Sequence, residues 1–159
     1  MQRQLDAFQT VEGASIGVGK YQGNLSDGEI GIPIENYGHI PSPKVSIFVH
    51  VYKSAGKNIP PFYSRNYTFG GDRTEIPPGS SKYGVTVPLE LSVGEAGKIN
   101  RAEEILTIFT VIRYDSGFGK ETQPGFAFSY NPRHPDTWDQ EPVVSFADLH
   151  PPTEEKPQK

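Results

Sequence analysis

The chain has 159 residues, no cysteine, a net charge of −4 from 15 Lys or Arg against 19 Asp or Glu, and a mean hydropathy of −0.52. That length suits one domain with a real core. The missing thiols exclude disulfides, zinc–thiolate and iron–sulfur sites and a cysteine nucleophile, and no basic cluster longer than a dipeptide offers nucleic acid an electrostatic footing.

Residues 1–11 place Leu5, Phe8 and Val11 three apart and predict a short helical lead-in, or the end of a longer stalk. Residues 14–21 predict a strand weakened by Gly17 and Gly19, at an edge or bulged. In 28–35, Ile30, Ile32 and Ile34 share one face, and Pro33 predicts an edge position or a bulge. A polar kink with Asn36, Gly38, Pro41 and Pro43 follows. The strongest strand is 44–53, where Val45, Ile47, Val49 and Val51 share one face. Phe48 lies on the other, which predicts a central strand. Residues 54–81 are turn-rich, with a short strand at Tyr63–Phe69 and a loop around Pro77-Pro78-Gly79.

Tyr83–Leu91 alternates Val85, Val87, Leu89 and Leu91 on one face, and Gly94–Glu104 is the one internal helix predicted. Ile105–Tyr114 reads as a second central strand, with Leu106, Ile108 and Ile112 on one face and Phe109 and Val111 on the other. The Asp115–Gly119 turn joins it to Gly125–Tyr130 as an antiparallel hairpin. From Asn131 the alternation stops. Pro132, Pro135, Pro142, Pro151, Pro152 and Pro157 predict an extended arm, anchored at Trp138, Val143, Val144 and Phe146, with a disordered tail after Leu149. The sum is an all-β, antiparallel two-sheet immunoglobulin-like sandwich over 12–130 with one short internal helix, a lead-in over 1–11 and a Pro-rich arm and tail over 131–159.

Chemistry-bearing motifs are sparse. Ala14–Tyr21 superficially matches a phosphate-binding loop, but Ala14 replaces its first glycine and Tyr21 its magnesium-binding hydroxyl. Asp115-x-Gly-x-Gly has too few carboxylates nearby for calcium and reads as a hairpin turn. His39, His50, His134 and His150 show no ligand spacing, and His50 alternates onto the face of Phe48 and Tyr52. There is no cysteine for a cupredoxin site, and no catalytic residue, metal or cofactor is assigned. The densest aromatic stretch is Pro60–Phe69. Its Tyr63, Arg65 and Tyr67 are the candidate contact residues, either as a binding surface or as rings covering a sheet edge. Asn24-Leu-Ser26 and Asn66-Tyr-Thr68 match the glycosylation sequon.

Four segments resemble a group of uncharacterised bacterial membrane-anchored proteins. Ile34-Glu-Asn-Tyr-Gly-His-Ile-Pro41-Ser-Pro-Lys-Val-Ser-Ile is similar to their Asn-x-Gly-x-Thr-Pro-Ala strand junction, with Ile40 and Ser42 in place of the usual Thr and Ala. Pro77-Pro-Gly-Ser-Ser resembles the loop before their next strand. The run from Ile108 to Glu121 resembles their closing Tyr-x-Asp-x-Phe-Gly hairpin. Met1–Gln9 is similar to the stalk that links a transmembrane helix to their sandwich. The resemblance spans residues 1–130. It implies an Ig-like domain held outside the cytoplasmic membrane through an anchor upstream of Met1, with no catalytic residues. A weaker resemblance is to the group-2 late-embryogenesis-abundant domain, associated with desiccation stress. The expectation is a non-catalytic interaction module for another protein or a cell-envelope polymer. Its sheet edges, such as the strand near Pro33, would accept an extended partner. The alternatives are a carbohydrate-binding module using Tyr63, Arg65 and Tyr67, and a stress-protective sandwich.

Overall fold

Alternating β-branched residues pair into two antiparallel sheets whose apolar faces meet. The computed structural model describes residues 13–56, 63–71, 73–79, 83–135 and 137–141. The lead-in expected over 1–11, the anchors Val143, Val144 and Phe146, and the tail lie outside those residues. In chain order the strands are β1 (Ile16–Val18), β2 (Glu29–Asn36), β3 (Ser46–Ser54), β4 (Tyr63–Gly70) and β5 (Tyr83–Pro88). A helix α1 (Val93–Asn100) follows, then β6 (Ile105–Asp115), β7 (Glu121–Thr122), β8 (Gly125–Tyr130) and β9 (Trp138–Glu141). One sheet has the order β1-β2-β5. The other runs β4-β3-β6-β8-β9, with β7 paired to β6.

The core is the set of side chains that the alternation places on one face. Ile30, Ile32 and Ile34 of β2 and Val85 and Val87 of β5 meet Ile47, Val49 and Val51 of β3 and Leu106, Ile108 and Ile112 of β6, all buried. Tyr21 and Trp138 close one side of the sandwich. Their ring centroids lie 5.8 Å apart, the Tyr21 hydroxyl is 3.0 Å from Thr110 Oγ1, and Trp138 Nε1 donates to the Gly23 carbonyl at 3.4 Å. Trp138 opens β9, so the proline-rich arm adds a strand to the larger sheet before it leaves the described residues. Phe109, Val111 and Ala127 form a second apolar cluster on the outer face of that sheet, with Phe48 and Tyr52 against it.

Two expectations need correction. The strand near Pro33 is not an edge, because β2 is the middle strand of its sheet. Proline is tolerated there because pairing with β1 breaks beside it. Ile16–Val18 pair with Ile34–Asn36, and Gly19 N–H still donates to the Pro33 carbonyl at 2.8 Å. The next bridge, Gln22 to Gly31, is shifted by one extra residue on the β1 side. The missing N–H of Pro33 therefore falls at a bulge.

The helix also stops earlier than Glu104. Ser92 caps its start, accepting from Glu95 N–H at 3.2 Å, while Glu95 Oε2 accepts from Ser92 N–H at 2.8 Å. At its end Ala102 takes φ +58°, its N–H bonds the Ile99 carbonyl at 3.0 Å, and Glu103 N–H bonds the Lys98 carbonyl at 2.9 Å. That is the Schellman stop with alanine where glycine is usual, so no sequence signal marks it. Ala102→Gly is expected to raise stability by about 1 kcal/mol, the left-handed penalty less glycine's entropy cost. A chemical melt showing no gain would contradict the strain at this position.

Candidate interaction site

Alternation puts Tyr63, Arg65, Tyr67 and Phe69 in one row of β4. Register pairs Arg65 with Val51, Tyr67 with Val49 and Phe69 with Ile47, all core residues, so the side chains of Arg65, Tyr67 and Phe69 lie toward the sandwich interior. Tyr67 packs half-buried against the core, and its hydroxyl donates to the Pro88 carbonyl at 3.3 Å. The Arg65 guanidinium pairs with the Glu90 carboxylate. The structure thus ties Arg65 and Tyr67 to the segment leaving β5, across the side of the sandwich opposite Trp138. Tyr63 shares their row, in register with Lys53. Asn66 and Thr68 alternate onto the other face and are exposed.

The backbone of β4 is the more distinctive feature. Among the described residues β4 ends its sheet, with β3 as its one neighbour. Gly71 N–H donates to the Val45 carbonyl at 3.0 Å, in the same register as the eight β3–β4 pairs. Antiparallel hydrogen-bonded pairs recur every second residue, so Arg65, Tyr67 and Phe69 bond to β3. The N–H and C=O groups of Ser64, Asn66 and Thr68 then face away from the sheet, along an open edge.

The other three edges are protected in ways natural sheets use. β1 has three residues and ends in a bulge. β5 ends in Pro88. β9 has four residues and carries Asp139 and Glu141. β4 runs eight residues without proline or bulge, and its one charged side chain, Arg65, is neutralised by Glu90.

Sequence reasoning missed a buried charge cluster at the α1 end of the sandwich. Lys53 is 3% exposed and continues the inward row of Val49 and Val51, which was the available signal. Its Nζ donates to Glu95 Oε1 at 2.5 Å and faces Glu104 Oε2 at 3.9 Å. The Lys53 ammonium, and then the Ser92 N–H and hydroxyl, hold the Glu95 carboxyl down at about 2. This cluster joins α1 to the sheet.

Asp115 Oδ1 accepts from Gly117 N–H at 2.6 Å and Gly119 N–H at 3.2 Å, so its carboxylate is engaged by its own turn. His50 stacks on Phe109 with ring centroids 6.4 Å apart. Among the described residues no group of three His, Cys, Asp or Glu is placed to hold a metal ion, and no helix there is long and apolar enough to cross a membrane. No family model matches the sequence, and neither does any curated protein.

Proposed function

We propose that the chain is a non-catalytic interaction module that takes an extended partner strand along the open edge of β4. The contrast among the four sheet edges carries this reading: three are blunted, and β4 is long, regular and unprotected. Strand addition draws affinity from main-chain hydrogen bonds, here to Ser64, Asn66 and Thr68, and selectivity from alternate side chains, here Arg65 and Tyr67. The sequence has no thiol, and its one Gly-x-Ser-x-Gly run, Gly13–Gly17, leads into strand β1 rather than from a strand into a helix, which supports the non-catalytic part. The resemblance of residues 1–130 to membrane-anchored bacterial sandwiches supports a place outside the cytoplasmic membrane, with a protein or envelope polymer as partner.

A photoreactive amino acid at position 66, with another at Thr86 on the β5 edge as control, tests the reading in cells. Crosslinks from position 66 and none from 86 are expected. Silence at 66, or the same products from both, would contradict it.

A further inference from the structure

The edge of β4 is complementary to itself. We infer that its occupant is a second copy of this chain, paired β4 to β4, antiparallel, about a two-fold axis at Asn66; this rests on the reading of β4 as the contact edge. In an isologous pairing of strands, a residue on the axis faces its own copy. Centring on Asn66 puts Asn66 opposite Asn66, Ser64 opposite Thr68 and Arg65 opposite Tyr67. The outward main-chain groups of β4 belong to those even-numbered residues, so all of them fall in hydrogen-bonded pairs, about six bonds in total. Centring on Tyr67 instead would recruit Gly70, whose φ of +76° takes it off the extended strand.

Charge permits the approach. Arg65 is the one charged side chain on β4, Glu90 of its own chain neutralises it, and across the axis it meets an aromatic ring. Two β9 edges would instead bring Asp139 and Glu141 of both copies together. The product is one continuous sheet through both sandwiches, with the exposed Asn66 side chains of the two copies adjacent on its outer face.

An interface of strand edges is smaller than a standard one, so sedimentation equilibrium is run from about 10 µM to about 1 mM. The expected result is a concentration-dependent rise from the mass of one chain toward that of two. Asn66→Asp and Asn66→Lys each set like charges on the axis and are expected to weaken self-association about tenfold or more, with unchanged thermal melts. Mixing the two variants is expected to restore a mixed dimer, because Asp then faces Lys. A protein that stays monomeric to the top concentration, or variants whose mixture associates no better than either alone, would overturn the two-fold pairing. Crosslinks from position 66 to a different protein would then leave the contact-edge reading standing, whereas silence there would remove both.

Discussion

Asn36→Ala is expected to destabilise the fold by about 3–5 kcal/mol, the range for a broken buried hydrogen-bond network. Asn36 ends β2, is 2% exposed and uses both sides of its amide. Oδ1 accepts from Ser15 N–H at 3.2 Å and Gly38 N–H at 2.9 Å. Nδ2 donates to the Ile40 carbonyl at 2.8 Å and the Ile76 carbonyl at 3.0 Å. One side chain therefore joins the entry to β1, the kink after β2 and the segment that bridges Ser42. Alanine leaves the Ser15 and Gly38 N–H groups and the Ile40 carbonyl without these partners, while the Ile76 carbonyl keeps the Ser42 N–H at 3.1 Å. Asn36→Asp keeps the shape but aims carboxylate oxygens at two carbonyls, and is expected to cost as much or more at neutral pH. Urea unfolding measures both. A loss under about 1 kcal/mol for alanine, the worth of a single ordinary hydrogen bond, would contradict the role given to Asn36.

Lys53→Ala is the second large effect, about 3 kcal/mol, because it takes the cation from Glu95 and leaves Glu104 with Lys98 alone, at 3.5 Å. The damage comes from the orphaned charges rather than from the lost attraction, so removing Lys53 and both carboxylates together, with Lys98 left exposed to solvent, is expected to recover most of the stability. The compensated variant is Lys53→Met with Glu95→Gln and Glu104→Gln, since Gln at 95 keeps the reciprocal cap with Ser92. The wild-type cluster also gives a pH signature. The folded-state pKa of Glu95 is depressed, so its contribution is complete above the usual carboxylate range and is lost as pH falls toward about 2. Lys53→Met alone removes the leading cause of that depression and is expected to flatten the acid limb of stability against pH. An unchanged acid limb would show that Lys53 does not hold Glu95.

The two-sheet architecture was legible because burial writes a period of two. Ile30, Ile32 and Ile34, and Ile47, Val49 and Val51, announced their faces, and all are buried. Lys53 follows the same parity, yet residue type suggested a surface position, since the glutamates that compensate it come from distant α1 and its exit. Asn36 and Gly38 read as turn residues. Their actual constraint is non-local: a Cβ on Gly38 would lie 2.1 Å from the Gly13 carbonyl oxygen. Pro33 left an edge and a bulge both open, and the structure has the bulge, because local chemistry fixes what a residue cannot donate, while strand order decides whether a neighbour asks for it. The same limit applied to the contact strand. The spacing of Tyr63, Arg65 and Tyr67 put them on one face, but only the pairing with Val49 and Val51 showed that this face turns toward the core and that the outward backbone belongs to Ser64, Asn66 and Thr68.

Residue-resolved hydrogen exchange along β4, in dilute protein and again at high concentration, tests the open edge most directly. The amides of Arg65, Tyr67 and Phe69 are expected to be protected by their bonds to β3, and those of Ser64, Asn66 and Thr68 to exchange rapidly in dilute protein and slow when the edge is occupied. Uniform protection of all six amides in dilute protein would mean that β4 is already covered within its own chain, and would contradict the account.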